Sequence, residues 1–364
     1  MTTMDTTRQD VLDLRVGELV EVRSEGEILA TLDERGELDS LPFMPEMRQF
    51  CGRRLRVYKR AYKTCDTIGS TGLRRMENAV HLVGVRCDGQ AHGGCQAGCL
   101  VYWKEAWLKR VPDNGGSGGL KIEAGTTVAG GHAEPSGSPP VNGQEPGDAA
   151  AGEVAGEAVT STGCTLATLM AATRKDDERY SCQATELLRA APTRIPSWDV
   201  RQYVQDVATG NAGLFATIRA VAVGVFNEYQ DFSRRFLPRW LRIHGGGRFP
   251  FIDGRLQKTP QAALDLQAGE LVRVKSKEEI VATLDVGNRN RGLKFDAEML
   301  KYCGRQARVL RRVNRIVDER TGKMMEFGNP CIILEDVICT SDYHRLCPRA
   351  IYPYWREIWL ERVP

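Results

Sequence analysis

Apolar and polar side chains alternate through residues 17–24, Gly-Glu-Leu-Val-Glu-Val-Arg-Ser, the two-residue period of a strand with one buried face. Residues 27–33 predict a second strand before a polar turn, and a short helical or turn segment carries Phe43, Glu46 and Met47. A third strand is predicted over 53–62, a fourth over 80–85, and a fifth in the closing Trp-Leu-x-Arg-Val run. The whole series then recurs. Residues 17–112 and 269–364 align without a gap at an offset of 252 positions, and about a third of the aligned positions are identical. The second set of strands is expected at 269–276, 279–285, 305–314 and 332–337, followed by the terminal run. Five short strands opened by Gly-x-x-Val resemble a small SH3-like barrel, at the level of fold alone.

Between the copies the pattern changes. Residues 113–163 are dominated by Gly, Ala, Ser, Pro, Thr and Glu, with no aromatic residue and few large aliphatics, a composition that cannot offset its own ordering entropy and so reads as a flexible linker. Residues 164–247 are helical in pattern. Val200, Tyr203, Val204 and Val207 follow a helical period up to the stop signal Gly210. Leu214, Ile218, Val221, Ala222, Val225, Tyr229 and Phe232 then form a stripe at three- and four-residue steps. Core packing of this stripe is the expected use, with a partner-binding or membrane-surface helix as the alternative. The expected architecture is mainly β with a helical insert: a first module at 1–112, the linker, the helical segment, and a second module at 248–364.

Composition adds limits. The net charge of +3 is small against 50 basic and 47 acidic side chains, so bulk charge points to neither nucleic acid nor an anionic membrane. Met1–Arg15 has no apolar core of a secretory signal, and no run is long enough for a membrane span. The expected compartment is the cytoplasm, where thiols stay reduced. There, 11 cysteines favour metal or thiol chemistry over a disulfide framework.

The repeat keeps a possible ligand set. Cys51, Cys87, His92 and Cys95 become Cys303, Cys339, His344 and Cys347, whereas Asp88, Gly89, Gln90, Gly93 and Gly94 all change. The spacing C-x4-H-x2-C puts three donors on one loop, an insertion between strands four and five. Cys51/Cys303 is the remaining Cys or His kept in both copies, and an identical glycine follows it. A Cys3His site suits zinc, two ions per chain, and four closed donors suit a structural ion. Buried structural cysteines are the alternative. The first copy adds Cys65, His81 and Cys99, where Cys95-x3-Cys99 beside Cys87 also admits an iron–sulfur cluster. The tryptophans four apart, with Glu105/Glu357 between them, predict a short helical turn that feeds the last strand and packs the loop onto the barrel; the glutamate could instead orient a ligand histidine or act as a base beside metal-bound water.

The third strand is basic, through Arg53, Arg54, Arg56, Lys59, Arg60 and Lys63, then Arg305, Arg308, Arg311, Arg312 and Arg315. It reads as a solvated face balanced by acidic neighbours, or else as a phosphate-backbone footprint. The runs Ala91–Cys99 and Cys347–Leu360, with Cys182–Leu187 and Trp198–Tyr203, resemble those of uncharacterised bacterial conserved hypothetical proteins with duplicated Cys/His modules. That resemblance implies a bacterial, full-length architecture and no particular activity. The expected function is a non-catalytic, zinc-binding accessory or interaction protein with a protein partner. Its alternatives are a metal- or thiol-dependent enzyme using the first copy and a nucleic-acid binder using the basic strands.

Overall fold

The computed structural model describes residues 11–112 and 164–363, and the linker expected at 113–163 lies outside them. The chain is built mainly of strands, in two curled half-barrel sheets, with few helices. In the first copy β1 (Leu19–Val22), β2 (Arg54–Arg60), β3 (Ala79–Arg86), β4 (Leu100–Lys104) and β5 (Leu108–Arg110) form one antiparallel sheet in the order β4-β3-β2-β1-β5. The last strand thus returns beside the first, and Val20 pairs with Leu55 on one side and Arg110 on the other. The second copy repeats this with β6 (Leu271–Val274), β7 (Gln306–Val317), β8 (Met324–Leu334) and β9 (Leu360–Arg362), in the order β8-β7-β6-β9. Its counterpart of β4 is reduced to a bridge between Ile332 and Trp355. Pro353 stands where the first copy has Val101, and proline has no N–H to give a ladder.

The second predicted strand is instead a short helix, Glu25–Leu29, repeated at Lys277–Val281. A capping box wins over the apolar pattern. Glu27 N–H donates to Ser24 Oγ (3.4 Å) while Ser24 N–H donates to Glu27 Oε2 (3.0 Å), and Ser276 with Glu279 does the same. Ile28 and Ile280 plug the two cores from these helices.

Each core is centred on a matched aromatic trio. Phe43 meets Trp107 edge-on at 5.3 Å and Trp103 at 6.3 Å, and Phe295 meets Trp359 and Trp355 at the same two separations. The helical turn expected between the tryptophans is present as Glu105–Trp107 and Glu357–Trp359. The glutamate in it does neither of the expected jobs. Glu105 accepts the N–H groups of Asp13 and Leu14, and Glu357 those of Leu264, Asp265 and Leu266, so each carboxylate ties down the strap entering its module. The repeat therefore begins earlier than residue 17, at Leu12-Asp13-Leu14 and Leu264-Asp265-Leu266.

In the central segment, α1 (Arg201–Thr209) ends at Gly210 and α2 (Leu214–Phe236) follows. The stripe on α2 does not form core. Leu214, Phe215, Ile218, Val225, Tyr229 and Phe232 are exposed, and the buried positions are Thr217, Ala220, Gln230 and Ser233. The inward anchors of α2 are polar: Gln230 Nε2 donates to the carbonyls of Ile243 and Gly247, both at 2.9 Å, and Asn227 brackets the Phe249 backbone. Among the described residues no helix is long and apolar enough to cross a membrane.

Candidate metal centres

The loop after β3 closes the same way in both copies although most of its residues differ. Cys87 N–H donates to Cys99 O and Cys339 N–H to Ile351 O, both at 2.9 Å. Cys95 N–H donates to His92 O and Cys347 N–H to His344 O, both at 3.2 Å. Gly89 allows the closure in the first copy, since a Cβ there would lie 1.9 Å from Cys95 O. The loop is thereby curled with its cysteine and histidine turned toward the 3-10 helix Pro45–Phe50, or Ala297–Tyr302 in the second copy.

Two groups of close donor atoms result: Glu46, Cys87 and His92, then Glu298, Cys339 and His344, each set lying within 4.8 Å of one another. The loop cysteine and histidine are thus brought together as expected, and a carboxylate joins them. Glu46 Oε1 accepts from the Cys87 thiol (3.1 Å) and from His92 Nδ1 (2.8 Å). Its other oxygen, Oε2, is buried without a partner. His92 Nε2 faces Ser181 O at 2.9 Å, the kind of backbone contact that orients an imidazole, so an ion on Nδ1 would have to replace its hydrogen bond to Glu46. Burial raises the Glu46 carboxyl, but the hydrogen bond and charge of His92 outweigh it and leave it lowered. Burial, with the Glu46 charge, pushes the Cys87 thiol far above the ordinary thiol range.

The second group is more open. Glu298 accepts from Tyr343 N–H (2.6 Å) and Thr340 Oγ1 (3.2 Å), and His344 Nε2 pairs with Asp296 at 2.9 Å. Burial lowers His344, yet the Asp296 hydrogen bond and charge leave it raised. Cys339 is pushed up to about 12 by burial.

The other members of the expected quartet lie elsewhere. Cys51 and Cys303 pack on the two cores and join neither group. The glycines after them, Gly52 and Gly304, do take the left-handed turn (φ 72° and 77°). Cys95 and Cys347 cross to the opposite module. Cys95 Sγ accepts Val317 N–H at 3.3 Å, and Cys347 Sγ accepts Cys65 N–H at 3.1 Å. Positions 65 and 317 are themselves equivalents in the repeat, so the exchange is reciprocal. His81 is a core residue: Nδ1 meets Val101 O at 2.9 Å, and burial lowers it to about 3, keeping it neutral.

Glu46 and Glu298 are the residues that Cys/His spacing misses. Their signal was an acid kept in both copies beside Phe43/Phe295 and Met47/Met299, both core residues. Beside the first group lies a cavity of about 350 Å³, walled by the first module, the central segment and residues of the second such as Val317, Arg349 and Tyr352. Comparison of the chain with known protein families, curated proteins and solved structures finds no match.

Proposed function

We propose that the protein is a non-catalytic metal-binding accessory or interaction factor of the cytoplasm, built on two SH3-like modules that each hold one metal ion. The observation that carries this reading is the recurrence of one Glu/Cys/His donor group in both modules. Zinc is the ion that best suits this mixture of carboxylate, thiolate and imidazole. The orphaned Glu46 Oε2 and the backbone-oriented His92 fit a cation at the first group. The closing strand beside β1, and β9 beside β6, fits the SH3-like comparison.

The ion's role follows from the loop. Metal on Cys87 and His92 fixes the segment whose far end carries Cys95 to the other module, so each ion braces the contact between modules. The exposed apolar face of α2 supports a protein partner, since solvated helices seldom leave such a stripe uncovered. The basic strand supports nucleic acid less. Arg54 pairs with Glu21, Arg60 with Asp13, Lys63 with Asp206, and Arg312 with Glu357.

Titration of the apo-protein with zinc alone should give about two equivalents per chain, with a rise in thermal midpoint. Protein that binds none, with unchanged stability, removes the reading. An enzyme using the first module is the second reading, favoured by three donors that leave a coordination position open beside the cavity. Cobalt substitution separates the two. A spectrum perturbed by added azide at the first centre supports the enzyme, and an inert spectrum supports the bracing ion.

A further inference from the structure

Cys95, Cys99 and Cys182 surround the first centre without belonging to its donor group, and with Cys87 they line the same cavity of about 350 Å³. They arrive from separate places. Cys87 leaves β3, the 2.9 Å hydrogen bond from its N–H sets Cys99 alongside, Cys95 ends the curled loop, and Cys182 comes from the central segment. All four are free thiols that keep part of their surface accessible while lining the cavity.

The arrangement bears on the kind of ligand. One zinc bound by thiolates at about 2.3 Å would draw the sulfurs to roughly 3.8 Å apart. Among the described residues no three of these sulfurs lie within 4.8 Å of one another. Four thiols around a space, rather than around a point, suit a polynuclear centre that fills it. One wall group already serves a sulfur: Val317 N–H donates to Cys95 Sγ at 3.3 Å, the kind of hydrogen bond that tunes cluster sulfur, while the buried Arg349 on the same wall pairs with Glu319 at 2.9 Å.

We propose that Cys87, Cys95, Cys99 and Cys182 ligate an iron–sulfur cluster of the cubane type in this cavity, at the junction of the first module, the central segment and the second module. The proposal rests on the metal-binding reading and changes the native occupant of the first centre. Cys87 serves the cluster, with Glu46 and His92 as its neighbours, and all four thiols lose their protons on ligation. The second module keeps its mononuclear group, because Ile351 stands where Cys99 would be needed.

The test is the full chain purified anaerobically, and again after reconstitution with ferric iron, sulfide and a thiol reductant, assayed for iron, acid-labile sulfide, zinc and visible absorption. The expected result is about four iron and four sulfide per chain, with about one zinc retained in the second module. Cys99→Ser and Cys182→Ser should each abolish the sulfide and the visible band while keeping that zinc, which doubles as the control for folding. Cys51→Ser should keep the cluster. Wild-type protein that retains two zinc ions and no sulfide overturns the cluster and leaves the metal-binding reading standing. Protein that holds no metal of any kind overturns both. Variants that keep full sulfide overturn this set of ligands.

Discussion

Cys95 and Cys347 make a contact in both copies that ligand spacing does not express. Each sulfur takes a backbone N–H from the opposite module, at 3.3 and 3.1 Å, and a serine oxygen would sit too short for that reach. Glu46 and Glu298 carry the converse lesson, because a carboxylate in a run of core residues reads as surface until the loop is seen to close over it. The two donor sets make opposite forecasts. Glu298→Gln should weaken zinc binding at the second module by at least the roughly tenfold typical of lost partners around a metal, while Cys303→Ser leaves it unchanged. Competition against a chromophoric chelator measures both. Equal losses in the two variants would restore Cys303 to the site.

Elements were legible where periodicity and burial agree. The alternation at 17–24 gives β1, the run at 80–85 gives β3, and the Trp-Leu-x-Arg-Val endings give β5 and β9. Two elements defied the pattern for physical reasons. Residues 27–29 have strand-like composition, but Ser24 and Glu27 cap each other and a helix starts. The α2 stripe has core-like periodicity, but the polar partners of Gln230 and Asn227 decide which side is turned inward. The edge of β4 is finished by something no period reveals. The Gln183 side chain accepts Tyr102 N–H (2.8 Å) and donates to Tyr102 O (2.9 Å), standing in for a missing neighbour strand. Gln183→Ala should leave the buried Tyr102 N–H unsatisfied and cost about 1–3 kcal/mol in urea unfolding. A change within error would mean that water replaces the amide.

At the scale of the molecule, one buried cation ties the parts together. Lys63, on the first module, donates to Asp206 of α1 at 2.6 Å and to Arg345 O of the second module at 2.9 Å, and both charged groups are fully buried. Burial opposes charge on each partner, lowering Lys63 and raising Asp206, so the pair persists only as a pair. Asp206→Ala should therefore destabilise the fold by about 3–5 kcal/mol, seen in thermal or denaturant unfolding. Lys63→Met with Asp206→Leu should recover much of that loss, and a double variant as unstable as the single would show that the pair does more than satisfy its own charges. The sequence shows Lys63 only as one more residue of a basic strand, because its partner lies 143 positions away.

The reciprocal use of Cys95 and Cys347 has the geometry of an isologous interface, in which one patch meets its own copy across a two-fold axis. Ordinarily such an interface belongs to two identical subunits, and every substitution in it is made twice. Written into a single polypeptide, the dyad no longer imposes that rule. Cys65 faces Cys347 while Val317 faces Cys95, and Cys99 has Ile351 for a twin. With both halves in one chain either can differ alone, and the cavity lined by four thiols lies on the first-copy side of the broken symmetry.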